Sequence, residues 1–242
     1  VADKVCIAYV HGLEVAYSFH QSIMGLIAYD VAHHQRVIGG GWMAVKYGTG
    51  GIVQARNDAT RQFLDGTDSD WMMWIDTDMG FMPDSIDRLL AAAHPTDRPV
   101  VGGLCFMNRE VGLDGLGGRV IQPMPTIFQW AKVGDAEGFS TVIDYPRDQV
   151  IPAAATGSAF ILIHRSAFEA VRAAYGPTWY SPVFNESAQM WISEDLSFCT
   201  RLGALEIPIH IHTGVKTNHL KHVWLDETVF DRMERIDDPT RA

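Results

Sequence analysis

The chain is 242 residues long, which at roughly 150 residues per domain fits one large domain or two small ones. A composition of 47% hydrophobic and 20% charged residues is that of an ordinary folded protein and excludes collagen-like, coiled-coil and low-complexity architectures. With a formal net charge of −10, no broad attraction to nucleic acid or to an anionic membrane is expected, so any phosphate must be held by a local device.

The longest apolar stretches, such as VIPAAATGSAFILIH, are broken by Pro, Thr, Gly and Ser, and none reaches the ~18 to 20 residues that a membrane span needs. No basic segment followed by an apolar one stands at the amino end, so no secretory leader is expected. Cys6, Cys105 and Cys199 form no CxxC pair and sit among apolar neighbours, which suits a reducing, cytoplasmic setting better than a disulfide framework.

In chain order, KVCIAYV (4–10) predicts a strand, residues 18–34 a helix, and WMAVKY (42–47) a short strand. IVQARNDATRQFL (52–64) predicts a helix with Ile52, Ala55, Ala59 and Phe63 on one face. WMMWI (71–75) reads as a strand buried on both faces. Pro83 suits the first turn of a helix, Asp84 and Asp87 suit its positive end, and the helix runs to about Ala93. PVVGGLCF (99–106) predicts the next strand. This βαβαβ alternation gives an α/β fold with a mostly parallel central sheet and helices on both faces, whose ligands gather beyond the carboxyl ends of the strands.

The second half changes character. Residues 107–150 are rich in Gly, Pro and polar residues, with strands predicted at TIFQWA and STVIDY. SAFILIH (158–164) predicts a strand leading into a helix over 166–174, a further helix begins near Ser193, and IPIHIH (207–212) predicts a strand. The tail from Asp226 is charged and expected to be peripheral. With no repeat and no linker, a single domain is expected.

Asp76 and Asp78 follow the buried strand WMMWI, and residues two apart along an extended segment point the same way. Both acids are therefore expected in one site, where a divalent cation such as Mg²⁺ or Mn²⁺ would relieve their repulsion and could neutralise a diphosphate. The competing reading has Asp76 ending the strand and Asp78 capping a turn with Gly80. Arg56 falls near the apolar face of its helix and could reach the crevice to pair with a phosphate or an acid, or else remain at the surface beside Asp58 and Arg61.

Gly157 and Ser158 precede a strand, and glycine permits a ligand to approach the backbone closely. Ser193 can cap a helix whose first turn holds Glu194 and Asp195. Asp195, Phe198 and Leu202 share one helical face, so Asp195 should lean toward the sheet. KTNHLKH (216–222) carries His219 and His222 with Lys216 and Lys221 after a predicted strand. GGG at 39–41 and GTGG at 48–51 lack the spacing of an ATP-type phosphate loop, and no GxGxxG dinucleotide motif stands in a strand-to-helix setting. Trp130, Trp179, Tyr180 and Trp191 are candidates either for sugar stacking or for the core.

Taken in order, ARND (55–58), WMMWIDTDMGF (71–81), TGSAFILIHR (156–165), ISEDLSFCTRLG (192–203) and the final His segment resemble the landmarks of family-2-like glycosyltransferases of the GT-A fold, including phage-encoded and bacterial members. The resemblance covers roughly residues 4–222. It implies one GT-A domain, with a nucleotide-sugar half over 1–106, an acceptor half over 107–225 and a peripheral tail over 226–242. It further implies a nucleoside-diphosphate sugar donor, a hydroxyl acceptor on a glycan, protein or small molecule, and Mn²⁺ or Mg²⁺ as cofactor.

Within that resemblance Asp76, Asp78 and His219 form the metal shell. Ala8, Tyr9, Val10, Arg56, Asn57, Asp76, Gly157 and Ser158 contact substrate. Asp195 is the general base if the reaction inverts, or stabilises the cationic sugar if configuration is retained, and Glu194 orients the acceptor. Two rivals stand beside this reading: a metal-dependent nucleotidyltransferase or phosphohydrolase, and a carbohydrate-binding module without turnover.

Overall fold

A computed structural model describes residues 3–113 and 119–222. The chain opens with β1 (Val5–His11), α1 (Tyr17–His33), β2 (Trp42–Lys46), α2 (Gly51–Gly66) and β3 (Trp71–Ile75). There follow β4 (Met79–Gly80), α3 (Ser85–Ala92), β5 (Val100–Leu104), β6 (Phe106–Leu113), β7 (Arg119–Pro125), β8 (Ile127–Val133) and β9 (Ala136–Thr141). The remainder is β10 (Val150–Ala153), β11 (Ala155–Thr156), β12 (Phe160–His164), α4 (Arg165–Tyr175), β13 (Phe184–Asn185), β14 (Met190–Trp191), α5 (Glu194–Ala204), β15 (Ile209–Lys216) and β16 (Asn218–His219). Among the described residues no helix is long and apolar enough to cross a membrane.

Seven strands form the central sheet in the order β10-β15-β5-β12-β3-β1-β2. β2, β1, β3, β5 and β15 run one way, while β12 and β10 oppose them. The expected α/β class with a mostly parallel sheet is therefore present. The reversal of β12 is new, because a continuous apolar run such as FILIH carries no record of its direction. Its consequence is positional: the amino end of β12 lies at the same edge as the carboxyl ends of β1 and β3, which brings Gly157 and Ser158 to that edge.

The sheet is apolar through its middle for a local reason. All five residues of β3 and of β5 are buried, whereas the edge strand β2 alternates exposed and partly buried positions. One face is covered by α2, α4 and α5, through Ala55, Phe63, Phe168 and Phe198. α1 and α3 cover the other, through Phe19, Leu26, Ile86 and Leu89. Gly103 permits β5 to sit between its neighbours, since a Cβ there would lie 2.9 Å from the Phe160 ring and 3.2 Å from the Val215 carbonyl.

Three predicted elements are corrected. PVVGGLCF is not one strand: β5 ends at Leu104, Cys105 leaves the ladder, and Phe106 opens a β6–β7 hairpin that the polar middle region concealed. The strand placed at STVIDY lies earlier, as β9, paired with β8. The last sheet strand begins at Ile209 rather than 207 and continues to Lys216. The tail from Asp226 lies outside the described residues.

The three cysteines are free and buried. The GGG segment serves packing: a Cβ at Gly40 would overlap the Val5 backbone, and the Gly40 carbonyl accepts a hydrogen bond from the Ser69 hydroxyl.

Candidate functional site

β3 ends at Ile75, and the chain turns at once. The Asp76 amide donates to the Ala159 carbonyl at 2.8 Å, and the Met79 amide donates to the Asp76 carbonyl at 3.1 Å, closing a turn over residues 76–79. The extended geometry expected for this segment is therefore corrected, and the two carboxylates take different partners. Asp76 Oδ1 accepts from Arg56 Nη2 at 2.9 Å. Asp78 Oδ2 accepts from Lys221 Nζ at 2.9 Å and faces His219 Nε2 at 3.1 Å. Both acids nevertheless act on one neighbour, the Cys105 thiol, which burial above all pushes up to about 12 with a further contribution from each carboxylate.

His219 reaches Asp78 because two short strands pair there. β16 lies antiparallel to β4 with His219 opposite Met79, and the Leu220 amide donates to the Asp78 carbonyl at 2.9 Å. Gly80 also lets α1 pack closely on this turn, since a Cβ there would stand 3.3 Å from the Ser18 Cβ. The Nδ1 of His219 lies 2.8 Å from the Phe106 carbonyl, an acceptor only, so Nδ1 carries a proton. Nε2 is thereby turned to the Asp78 carboxylate. Burial works to raise the Asp78 pKa, but hydrogen bonds and charge from His219 and Lys221 prevail and hold it at about 2.

Arg56 links Asp76 to the second acidic pair. Its side chain is 2% exposed, with Nη2 on Asp76 and Nε 3.9 Å from Glu194 Oε1. The guanidinium carbon lies 5.0 Å from the Trp74 ring centroid and 5.7 Å from that of Tyr180, so the cation is wedged between aromatic faces. Burial opposes its charge, but the acids outweigh this, Asp76 foremost and then Glu194 and Asp195, and its pKa is raised. Arg56 Nε and Nη1 are buried without a hydrogen-bond partner among the described residues. Asn57, the next residue, holds the loop after α4: its side-chain carbonyl accepts from the Tyr180 amide at 2.8 Å.

Glu194 and Asp195 open α5. The Ser193 hydroxyl does not cap the helix as expected; it donates to Asp195 Oδ1, which also accepts from the Leu196 amide. Asp195 Oδ2 lies toward the sheet, where a Cβ on Gly157 would stand 3.4 Å from it. The Glu194 pKa is raised, first by burial and then by the charge of Asp195. Ser158, beside Gly157, is buried.

At the end of β1, Ala8 and Val10 are core residues, while Tyr9 is partly exposed and packs edge-on against Phe19 at 5.2 Å. The following loop meets the acidic turn, with the Ala16 amide donating to the Thr77 carbonyl at 2.8 Å. Trp179 and Tyr180 are fully buried; Trp130 and Trp191 are exposed. Arg165, at the end of the TGSAFILIHR segment, donates to the carbonyls of Phe63, Leu64, Thr67 and Ser69 and so ties α4 to the end of α2. Lys221 is the contact the sequence reading missed. Its signal was the position of a lysine two residues beyond His219, which returns a cation to the same acid.

Among the described residues no group of three or more His, Cys, Asp and Glu is arranged to hold a metal ion. Asp78 and His219 are a two-ligand set, and Asp76 is committed to Arg56 through Oδ1. An imidazole whose far nitrogen is fixed by a carbonyl is nevertheless the arrangement that orients a metal-ligating histidine. Hard cations of the Mg²⁺ type take few protein ligands and complete their shell with water and substrate phosphates.

No protein-family model and no curated protein matches this sequence. Solved structures do share its architecture. The chain is similar to the protein A197 from STIV, with 15% identity and a TM-score of 0.53 over 90% of this chain and 86% of that one. It is also similar to GalNAc-T7, solved with UDP, GalNAc and Mn²⁺, with 11% identity and a TM-score of 0.56 over 91% of this chain and 44% of that one. The chain thus spans less than half of that protein. Likeness at such identities concerns architecture and leaves chemistry to the site. The seven-stranded sheet with β12 reversed in its middle, covered by helices on both faces, is a GT-A fold.

Proposed function

We propose that the chain is a glycosyltransferase that moves a sugar from a nucleoside-diphosphate sugar to a hydroxyl acceptor with the help of Mn²⁺ or Mg²⁺. The observation that carries this reading is the Asp78–His219 pair, with the imidazole fixed on the Phe106 carbonyl and its other nitrogen turned to a carboxylate. Asp78 and His219 would hold the cation, which when bound supplies positive charge for the departing diphosphate.

The chain's own groups divide the remaining work. Asp76, oriented by Arg56 through one oxygen, offers its other oxygen to the donor's ribose or to cation-bound water. At the β1 end Tyr9, partly exposed, borders the place of the base with the buried Ala8 and Val10 fixing it from either side, and Lys221 offers a second cation near the phosphates. On the acceptor side Asp195 has Oδ1 anchored by Ser193 and Leu196, which leaves Oδ2 on the Gly157 side to take the acceptor proton in an inverting transfer. Glu194 orients the acceptor, and Gly157 with Ser158 borders it. Residues 1–106 serve the donor and 107–225 the acceptor, in one domain, except that His219 and Lys221 return from the second half to the donor's cation and phosphates. The free, buried cysteines suit a cytoplasmic setting.

The test is a screen of sugar nucleotides with Mn²⁺ present and with Mn²⁺ chelated. Release of nucleoside diphosphate only with the metal supports transfer. Release of monophosphate or pyrophosphate would make the protein a phosphohydrolase or nucleotidyltransferase, and binding without release would make it a carbohydrate-binding module.

A further inference from the structure

Trp191 is 66% exposed and Met190 is 58% exposed, on a two-residue strand that does nothing for the core. The segment that presents them is nonetheless firmly held. β14 pairs with β13, so that Trp191 lies opposite Phe184, and the two rings meet edge-on at 5.2 Å. Asn185 Nδ2 donates to the Glu137 carbonyl at 2.7 Å, and the Glu137 amide donates to the Ser187 hydroxyl at 2.9 Å, which ties the hairpin to β9. At its base the Ile192 amide donates to the Val183 carbonyl, the Val183 amide donates to the Ser197 hydroxyl, and that hydroxyl donates to the Ile192 carbonyl. The indole is thereby keyed to α5, the helix that begins with Glu194 and Asp195.

Trp191 and Glu194 line the same open cleft of about 700 Å³, with Pro182, Ile192 and Ser193. A fixed aromatic face beside the Glu194 carboxylate matches the two surfaces of a pyranose: axial C–H groups for the ring and a hydroxyl for the acid. A sugar-free Ser/Thr peptide would offer N–H and hydroxyl donors to the acid but no ring of axial C–H groups to the indole face. A nucleotide phosphate would be repelled by it.

We propose that Trp191 is an acceptor platform, on which a pyranose ring of the acceptor stacks so that its hydroxyl is held toward Glu194 and Asp195. This rests on the transferase reading and narrows the acceptor to one that already carries a sugar.

Saturation-transfer NMR on the full chain tests it, with methyl glucopyranoside, methyl galactopyranoside and methyl N-acetylglucosaminide as probes, run with and without UDP and Mn²⁺. Glycerol and a sugar-free Ser/Thr peptide are the controls. The expected result is saturation of the ring C–H protons of at least one pyranoside by the wild-type protein. Trp191→Ala should weaken that binding about fivefold, and Trp191→Phe should keep most of it, the loss of one aromatic stacking contact being worth about 1 kcal/mol. Because the indole is exposed, an unchanged melting temperature confirms that both variants fold. A disaccharide and a peptide bearing the same sugar, compared for affinity, tell a free glycan from a glycosylated protein as the source of the ring.

Absence of pyranoside binding to the wild-type protein, unchanged binding in Trp191→Ala, or preference for the sugar-free peptide would each overturn the proposal. Since the readout is binding, pyranosides held at Trp191 by a protein that releases no nucleoside diphosphate would end the transferase reading and leave the platform. Transfer indifferent to Trp191 would do the reverse.

Discussion

His219 Nε2 and Asp78 Oδ2 stand 3.1 Å apart, with the opposite ring nitrogen of the histidine bound to the Phe106 carbonyl. Together with Lys221 this holds the Asp78 carboxyl at about 2, below its ordinary 3.8 and against the opposing effect of burial. A depressed carboxyl pKa contributes stability that is present above the ordinary value and is lost as pH falls through the folded-state value. Asp78 is about a third exposed, so solvent screening limits the contribution to about 1 kcal/mol or less. The difference in urea midpoint between wild type and Asp78→Asn should therefore shrink on going from about pH 4 to about pH 2. A difference that stays constant over that window would contradict the pairing.

Arg56 is buried with acids on two sides, and removing it leaves Asp76 and Glu194 without their shared cation. Breaking a buried pair from one side typically costs about 3 to 5 kcal/mol, and Asp76 is partly exposed, so Arg56→Ala should lose about 3 kcal/mol in chemical denaturation. Arg56→Lys should recover only part of this, because an ammonium cannot fill the slot between Trp74 and Tyr180 while reaching both acids. A loss below about 1 kcal/mol for Arg56→Ala would show that the pair is solvated.

Glu194 carries the opposite sign. Its pKa is raised, by burial first and then by Asp195, so the folded protein binds that proton more tightly than the unfolded chain does. Ionised Glu194 consequently weighs against the fold above its ordinary pKa. Glu194→Gln should stabilise the protein at neutral pH, and the gain should fade on acidification as the wild-type carboxyl takes up its proton. Melting temperatures across pH 4 to 8 check this; a destabilised variant at pH 7 would mean that the Arg56 contact outweighs burial.

Asp195→Asn keeps the anchoring of Oδ1 by Ser193 and Leu196 but removes the basic oxygen on the Gly157 side. Transfer should drop by about 10²-fold or more, the usual contribution of a positioned base, with sugar-nucleotide affinity unchanged. Transfer that survives the substitution would remove Asp195 from the base role.

The helices and central strands were legible because their signals are periodic and local. WMMWI is buried at every position, and Ile52, Ala55, Ala59 and Phe63 do share a face, three of them in the core. What the sequence concealed depends on direction and pairing across long separations. The reversal of β12 brings Gly157 to Asp195, and the β4–β16 ladder brings His219 to Asp78 across 141 residues. The acidic segment was misjudged because alternation in an extended strand was carried past the strand's end as far as Asp78: the strand stops at Ile75, and a turn sends Asp76 to Arg56 and Asp78 to His219. Lys221 was named with its cluster but given no partner, because the acid it meets lies 143 residues earlier in the chain.

The central claim is that Asp78 and His219 hold a divalent cation that anchors the donor diphosphate. Titration of Mn²⁺ into the protein with UDP, followed by the loss of the free-ion electron paramagnetic resonance signal, tests it most directly. UDP-dependent Mn²⁺ binding by the wild-type chain should weaken at least about tenfold in both Asp78→Ala and His219→Ala, one inner ligand being worth more than about 1.4 kcal/mol. Binding of equal strength in the wild type and the two variants would contradict it.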